Sequence, residues 1–196
     1  MILPIVAYGD PVLRKKATDI APDHPDLKPL IANMWETMYN AHGVGLAAPQ
    51  VGLPIRLFVV DTDPFSNDED LGQEEQMALK GFKKVFINAK IEQESGKEWD
   101  FNEGCLSIPD IREDVKRKPE ITISYLDENF KPHRETYKGT LARVIQHEYD
   151  HIEGILFTDK LSSLKKRLIK GKLDKISKGK IDVEYRMKFP NIKKGR

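Results

Sequence analysis

The chain has 196 residues, of which 39% are hydrophobic and 32% are charged, with a net charge of +1 and one cysteine. This balance excludes a disordered chain, and a single cysteine excludes an intrachain disulfide framework. No apolar run approaches the roughly 20 residues of a membrane span, and the first residues lack the features of a signal peptide, so we expect one cytoplasmic domain over residues 1–196.

Several segments of the N-terminal half have the periodicity of regular elements. An amphipathic helix is predicted for residues 26–42, with Asp26 as its N-cap. Apolar and β-branched residues predict one strand over residues 55–61 and another over residues 85–88. Between these strands, residues 63–78 contain six carboxylates and no basic residue, which predicts an acidic surface insertion.

The following segments predict a hairpin and two helices. The hairpin pairs residues 121–126 with a return segment at residues 134–137. A central helix is predicted for residues 140–153, with Thr140 as its candidate cap. A second, basic amphipathic helix is predicted for residues 161–176.

The C-terminal region is strongly basic. Residues 160–196 contain 14 Lys and Arg against three acidic residues, which gives +11, so residues 1–159 carry −10. A solvated helix with a frayed tail and a basic arm that meets a polyanion such as RNA are both open interpretations of this C-terminal extension. Alternation over residues 181–189 predicts a terminal strand. Together the elements predict an α+β fold, with mixed or antiparallel sheets packed around the central helix.

The central helix carries the most specific motif of the chain. His147 and His151 are four residues apart, and Glu148 directly follows the first histidine. In a helix both imidazoles lie on one face, where they can bind one metal ion, while Glu148 can handle the protons of an activated water. The motif therefore predicts a metal-activated hydrolase that needs a third protein ligand.

Three positions are candidates for the third ligand, and a fourth is excluded. One class of metalloprotease places a histidine six residues after the motif, but this chain has Phe157 there. A second class uses a downstream glutamate; Glu153 is too close, and Glu184 lies in the tail. Cys105 is the better candidate, because a thiolate and two histidines leave one tetrahedral position open for water. A buried, inert thiol is the alternative interpretation of Cys105.

A third segment, Gly-Val-Gly-Leu-Ala-Ala-Pro-Gln over residues 43–50, has small residues that allow another backbone to approach. By itself it is equally consistent with a loop that ends a helix. Together with Glu-Gly-Cys-Leu-Ser at residues 103–107 and Gln-His-Glu-Tyr-Asp-His at residues 146–151, it resembles the three signature motifs of the peptide deformylase family. The order and rough spacing match, and the resemblance covers most of residues 1 to 160.

The resemblance implies a reaction and a metal site. Cys105, His147 and His151 would bind one divalent metal ion, often Fe²⁺ in this family, with Zn²⁺, Ni²⁺ or Co²⁺ able to occupy the site. The reaction would be hydrolysis of the N-formyl group from the initiator methionine of newly synthesised polypeptides, with release of formate. Glu148 would accept the proton of the attacking water and deliver it to the leaving amine.

The resemblance also assigns oxyanion donors. The side-chain amide of Gln50 and the backbone N–H of Leu106 would stabilise the negative charge that develops on the formyl oxygen. Glu103 would have a structural role. Arg143 departs from the family pattern, because an apolar residue is common at this position, and we expect its aliphatic stem to line the pocket.

Substrate binding is expected to follow strand addition. An extended peptide would lie along Val44 and Gly45 and exchange main-chain hydrogen bonds with them. Val44 and Val144 are candidates for an apolar pocket that holds the methionine side chain. By family analogy, Arg112 lies near the path of the substrate.

The expected partners are N-formylmethionyl nascent chains, with ribosome contact through the basic C-terminal region, no membrane and a monomeric state. Two other functions stay open on the residues alone. The first is a metallopeptidase with the same His-Glu motif and a different third ligand. The second is a non-enzymatic, ribosome-associated module whose metal is structural.

Overall fold

The structure is a computed structural model that describes residues 1–191, so residues 192–196 of the predicted basic extension lie outside it. The fold is α+β, as expected, and is built around a five-stranded antiparallel sheet with two smaller sheets beside it. The helices are α1 (Leu27–Asn40), α2 (Gln73–Leu79), α3 (Gly139–Ile152) and α4 (Ser163–Ser177). The strands are β1 (Ile5–Val6), β2 (Gly45–Ala47), β3 (Leu57–Asp61), β4 (Lys83–Ser95), β5 (Trp99–Cys105), β6 (Ile108–Arg117), β7 (Glu120–Leu126), β8 (Pro132–Lys138) and β9 (Met187–Lys188).

The central sheet is ordered β2-β3-β4-β7-β8, and its strands β2 and β3 are buried on both faces. In β3, Phe58 and Val60 pack in the same cluster as α3, whereas Leu57 and Val59 pack in the cluster that contains α1. Successive side chains of a strand point to opposite faces, so one continuous apolar run serves both helices. This arrangement makes α3, whose side chains are mostly buried, the central helix of the molecule.

Several predicted elements are confirmed within two residues at each end, and others are extended. Helices α1, α3 and α4, strand β3 and the β7–β8 hairpin match the periodicity of their segments. Strand β4 is much longer than its predicted core at residues 85–88. The β5–β6 hairpin was not predicted, because Pro109 and a run of charged residues interrupt the alternation of β6.

Of the two capping predictions, the one for Asp26 is confirmed in position but not in side-chain bonding, and the one for Thr140 is wrong. Asp26 precedes α1 with a φ of 58°, and its side chain makes no capping hydrogen bond. Thr140 lies inside α3, which begins at Gly139, and its buried hydroxyl has no partner among the described residues. Both predictions relied on residue type alone, whereas capping depends on the backbone conformation of the residue that precedes the helix.

The predicted terminal strand is shorter than residues 181–189. Only Met187–Lys188 pairs, and it does so in parallel with β1 at the other end of the chain. Residues 181–186 have the alternation of a strand but no strand partner in the described structure. Among residues 1–191, no helix has both the length and the apolar character that a bilayer crossing requires.

The acidic insertion at residues 63–78 is folded against the core. It contains a short 3-10 helix, Asp63–Phe65, and most of α2. Phe65 and Leu71 are partly buried and pack against the cluster that contains α3. The insertion therefore contacts the central helix and has more than a surface role.

Glu75 of the insertion caps α3. Its carboxylate accepts a hydrogen bond of 2.6 Å from the backbone N–H of Thr140. Gly139 has a φ of 59°, and a Cβ atom at this position would overlap with the carboxylate of Glu75. A negative charge at a helix N-terminus satisfies an unpaired N–H and interacts favourably with the helix dipole.

We predict that Glu75→Ala lowers the free energy of unfolding by about 1 kcal/mol, the usual contribution of a side-chain cap. Thermal or urea unfolding measures the change. Glu74→Ala is the matched control, because Glu74 is exposed on the same helix, whereas Glu75 is the residue that binds Thr140. Equal stability of the two variants would contradict the capping role of Glu75.

Candidate active site

A cavity of about 780 Å³ opens beside α3, β2 and the β5–β6 hairpin. Nine of the ten residues that the sequence predicts for the site line this cavity. They are Val44, Gly45, Gln50, Cys105, Leu106, Arg112, Val144, His147 and Glu148. The tenth, His151, is buried one turn further along α3.

The cavity contains a cluster of three metal-binding side chains. The ligand atoms of Cys105, His147 and His151 all lie within 4.8 Å of one another. The thiol sulfur of Cys105 is 3.3 Å from Nε2 of His151, and the two imidazole ring centroids are 5.1 Å apart. Cys105 ends β5 immediately after a break in the pairing with β6, which turns its side chain out of the regular pleat.

The donors of this cluster fit a transition-metal ion. A thiolate with two imidazoles is a common set for a catalytic metal, and three protein ligands leave a position open toward the cavity. His147 has its Nδ1 atom 3.0 Å from Glu103, so Nε2 is the ring nitrogen that can bind a metal. Such a partner on the second nitrogen is usual for metal-binding histidines.

The two histidines have opposite pKa shifts. Burial alone would lower the pKa of His147, but its hydrogen bonds with Cys105 and Glu103 raise it well above the usual value. Burial and the neighbouring charge of His147 lower the pKa of His151, whose buried Nδ1 atom has no partner within residues 1–191. A neutral His151 is in the protonation state that a metal ligand requires.

Glu148 lies directly beside the cluster and is only 5% exposed. Burial raises its pKa to about 7, and its Oε2 atom has no hydrogen-bond partner in the described part of the chain. The carboxylate packs against β2 at Gly45, where any Cβ atom would overlap with it. This position therefore requires glycine, and the carboxyl group is able to accept and release a proton near neutral pH.

Gln50 is oriented by the backbone around it. Its side-chain oxygen accepts a hydrogen bond of 2.9 Å from the N–H of Ala47. Its amide nitrogen consequently faces the opposite side, 3.6 Å from the sulfur of Cys105 and 3.3 Å from the hydroxyl of Ser107. The amide is a fixed, uncharged donor at the edge of the metal-binding cluster.

A buried ion network connects the β5–β6 hairpin to α3. Arg117 of β6 donates two hydrogen bonds to Glu103, of 2.7 and 2.9 Å, and one of 2.6 Å to Asp150 of α3. Burial alone would raise the pKa of Glu103, but the hydrogen bonds of Arg117 and His147 hold it far below its usual range. Glu103 therefore stays ionised and links Arg117 to a metal-binding histidine. Arg117 and Asp150 were not identified from the sequence.

Two arginines differ from their predicted roles in detail. Arg143 lines the cavity, but its guanidinium group points into the protein, where it donates to Glu103 and to the carbonyl groups of Val115 and Trp99. Arg112 also lines the cavity, and its guanidinium group donates to Asn102 on the neighbouring strand. Both side chains thus stabilise the β5–β6 hairpin.

Two further segments line the cavity without belonging to any of the three motifs. Phe65 comes from the acidic insertion, and residues 182–185 come from the C-terminal tail. No local pattern connects them to the site. The only signal in the sequence is the presence of apolar residues, Phe65 and Tyr185, within polar segments.

Comparisons with known proteins agree with the geometry. The family model described as polypeptide deformylase matches residues 2–167. A peptide deformylase of Christiangramia forsetii is 69% identical over 196 residues, and one of Flavobacterium johnsoniae is 70% identical over 196 residues; each match covers 100% of both chains. Among solved structures, a peptide deformylase from Legionella pneumophila aligns with a TM-score of 0.77 and 38% identity, over 92% of this chain and 98% of that chain.

We predict that Arg117→Met lowers the free energy of unfolding by about 3–5 kcal/mol, because it removes the buried guanidinium group that the carboxylates of Glu103 and Asp150 share. Urea unfolding of the metal-free protein measures the loss. Arg134→Met is the matched control, since Arg134 forms an exposed ion pair with Glu92. A loss no greater than that of the control would contradict the structural role of Arg117.

Proposed function

The chain belongs to the polypeptide deformylase family, and we propose which of its residues perform the activity of that family. The activity is metal-dependent hydrolysis of the N-formyl group from the initiator methionine of newly synthesised polypeptides, with formate as the second product. The observation that carries the proposal is the convergence of three separate motifs on one cavity around the Cys105, His147 and His151 cluster.

Cys105, His147 and His151 would hold one divalent metal ion, Fe²⁺ in our proposal, with Zn²⁺, Ni²⁺ or Co²⁺ able to replace it. When bound, the ion supplies Lewis acidity and makes hydroxide available near neutral pH. A metallopeptidase with a different third ligand has less support. Glu153, one candidate for that ligand, forms ion pairs with Arg56 and Lys16 instead.

Glu148 would transfer the proton of the reaction. Its carboxylate takes the proton from the attacking water and gives it to the amine that leaves as the carbon–nitrogen bond breaks. Support comes from its burial, its unpartnered oxygen and its pKa of about 7, which suits both directions of transfer.

The amide nitrogen of Gln50 and the N–H of Leu106 would donate to the formyl oxygen as it gains negative charge. The amide nitrogen of Gln50 lies 3.6 Å from the sulfur of Cys105, and Leu106 directly follows Cys105 in the chain. Because each donor is positioned before the substrate arrives, little reorganisation is needed during the reaction.

The peptide would bind as an added strand along β2. This strand is at the edge of the central sheet, so one side of its backbone is free of a strand partner in the described structure. Val44 and Val144 would contact the methionine side chain, and Arg112 would lie near the following residues. Phe65 narrows the same cavity from the insertion.

We predict that two substitutions separate metal binding from catalysis. Cys105→Ser should lose both the metal and the activity, because a hydroxyl group replaces the thiolate. Glu148→Ala should keep the metal but lose at least about 100-fold in kcat, since Glu103, the other carboxylate beside the cluster, is bound by Arg117 and stays ionised. Metal analysis and formate release from a formyl-Met peptide measure the two effects.

Full metal content in Cys105→Ser would exclude Cys105 as a ligand. Undiminished activity in Glu148→Ala would exclude the proton-transfer role. A third outcome would favour a structural metal. In that case both variants would retain the metal, and the wild-type protein would release no formate.

We propose that the protein is a cytoplasmic monomer that contacts the ribosome through α4. Three apolar residues of this helix, Ile169, Leu173 and Ile176, are buried against the fold. Several cations of the same helix are exposed beside this buried face, among them Lys166, Lys170 and Lys172. A positive helix face of this kind is suited to the phosphate backbone of RNA.

We predict that reversing three charges of α4 (Lys166→Glu, Lys170→Glu and Lys172→Glu together) reduces co-sedimentation with ribosomes by about tenfold or more and weakens its dependence on salt. Hydrolysis of a free formyl-Met peptide should not change. The control reverses three exposed lysines elsewhere: Lys90, Lys97 and Lys131. Equal ribosome binding by the two triple variants would contradict the proposed contact.

A further inference from the structure

The C-terminal tail passes over the active-site cavity before it joins the other end of the chain. Residues 182–185 line the cavity. Directly beyond them, the backbone N–H of Ile5 donates to the carbonyl of Arg186, and that of Ala7 donates to the carbonyl of Lys188, each at 2.9 Å. The tail is therefore attached by a backbone ladder at the point where it leaves the cavity.

Tyr185 connects the tail to the turn between β5 and β6. Its hydroxyl group donates a hydrogen bond of 2.7 Å to the carbonyl oxygen of Leu106. The ring is partly buried and packs with Leu106 and Met187 on the apolar cluster that contains α1. Burial raises the pKa of the Tyr185 phenol, and the nearby charges of Cys105 and Asp110 raise it further. The hydroxyl group therefore keeps its proton and acts as a donor.

The turn that Tyr185 holds is short and contains an oxyanion donor of the proposed mechanism. It consists of Leu106 and Ser107, between the last residue of β5 and the first residue of β6. Among residues 1–191, no hydrogen bond of the Leu106 N–H is found, so this group is free to bind a substrate atom. The carbonyl and N–H groups of Leu106 lie in two rigid peptide planes that are joined only by the φ and ψ rotations of this residue, so a hydrogen bond that fixes the carbonyl limits the directions open to the N–H.

Other contacts hold the same turn from different sides. The N–H of Tyr8 donates to the carbonyl of Ser107 at 2.8 Å. The side chain of Leu106 packs closely on Gly43, where a Cβ atom would lie 2.8 Å from its Cδ1 atom. Tyr185 contributes the hydrogen bond to Leu106 itself, so its loss should change the orientation of Leu106 more than the position of the turn.

We propose that Tyr185 is a positioning residue of this enzyme, which orients the Leu106 N–H toward the developing oxyanion. The inference rests on the proposed role of Leu106 as an oxyanion donor. Tyr185 acts through Leu106 and touches no reacting atom in this assignment. The tail is accordingly part of the active site.

The test compares Tyr185→Phe with the wild-type protein, both at full length and loaded with zinc. The variant keeps the ring and its packing and loses only the hydroxyl group. We expect kcat for a formyl-Met tripeptide to fall by about tenfold, which corresponds to one modest hydrogen bond. KM and metal content should stay within about twofold of the wild-type values, because binding of the ground state does not use the oxyanion donor.

The matched control is Tyr39→Phe. Tyr39 is also partly exposed, and its hydroxyl group donates to Asp61 at 2.5 Å, but it lies on α1 and does not line the cavity. Its substitution should leave kcat and KM unchanged. This control separates a general effect of losing a tyrosine hydroxyl from an effect at Leu106.

A second measurement does not depend on activity. In the zinc-loaded protein, the backbone amide signal of Leu106 in a ¹H–¹⁵N spectrum should shift, and its hydrogen exchange should accelerate in Tyr185→Phe but not in Tyr39→Phe. A phosphonate that replaces the formyl group mimics the tetrahedral anion and should bind Tyr185→Phe about tenfold more weakly, whereas the product peptide should bind both proteins equally.

Unchanged kcat together with an unchanged Leu106 amide signal would overturn the proposal. A raised KM with unchanged kcat would also overturn it, because the tail would then only form a wall for the substrate. If the wild-type protein itself released no formate, the proposed function would fail, whereas the amide signal would still report on the contact between Tyr185 and Leu106.

Discussion

The buried salt bridge between Arg117 and Glu103 is the contact on which the geometry of the site depends. The hairpin that carries Cys105 forms a separate two-stranded sheet and shares no backbone ladder with the central sheet. Side-chain contacts therefore help to determine how far Cys105 lies from the histidines of α3, together with the backbone bond from Tyr8 to Ser107. Arg117 does so by binding Glu103 on its own hairpin and Asp150 on α3, and Glu103 extends the connection to His147. Burying these charges is costly, and the network offsets that cost by pairing most of their polar atoms.

Two buried glutamates of the site have opposite properties because of this network. Glu103 is surrounded by Arg117, Arg143 and His147 and stays ionised. Within residues 1–191 no cationic side chain is bonded to Glu148, and burial raises its pKa to about 7. Environments that separate the pKa values of neighbouring carboxyl groups are a general means of assigning one to structure and the other to proton transfer.

The parts of the site that could be predicted from the sequence are those defined by local spacing or by motif. The period of a single helix predicts the placement of His147, Glu148 and His151. The family resemblance predicts the roles of Cys105 and Gln50. The supporting contacts join residues that are distant in the chain: Arg117 and Asp150 are 33 positions apart, Glu75 and Thr140 are 65 apart, and Tyr185 and Leu106 are 79 apart. No periodicity relates such pairs, since each depends on how whole elements pack. The β5–β6 hairpin escaped prediction for a similar reason, because its side chains serve the ion network as much as an apolar core.

The parallel pairing of β9 with β1 has a consequence for the order in which the enzyme is made. Strand β1 leaves the ribosome first, whereas β9 and the preceding tail are synthesised after every other described element of the fold. Until they emerge, the β5–β6 turn lacks one of its contacts and the cavity lacks one wall. A growing copy therefore completes its cavity only after the tail has been synthesised and β9 has paired with β1.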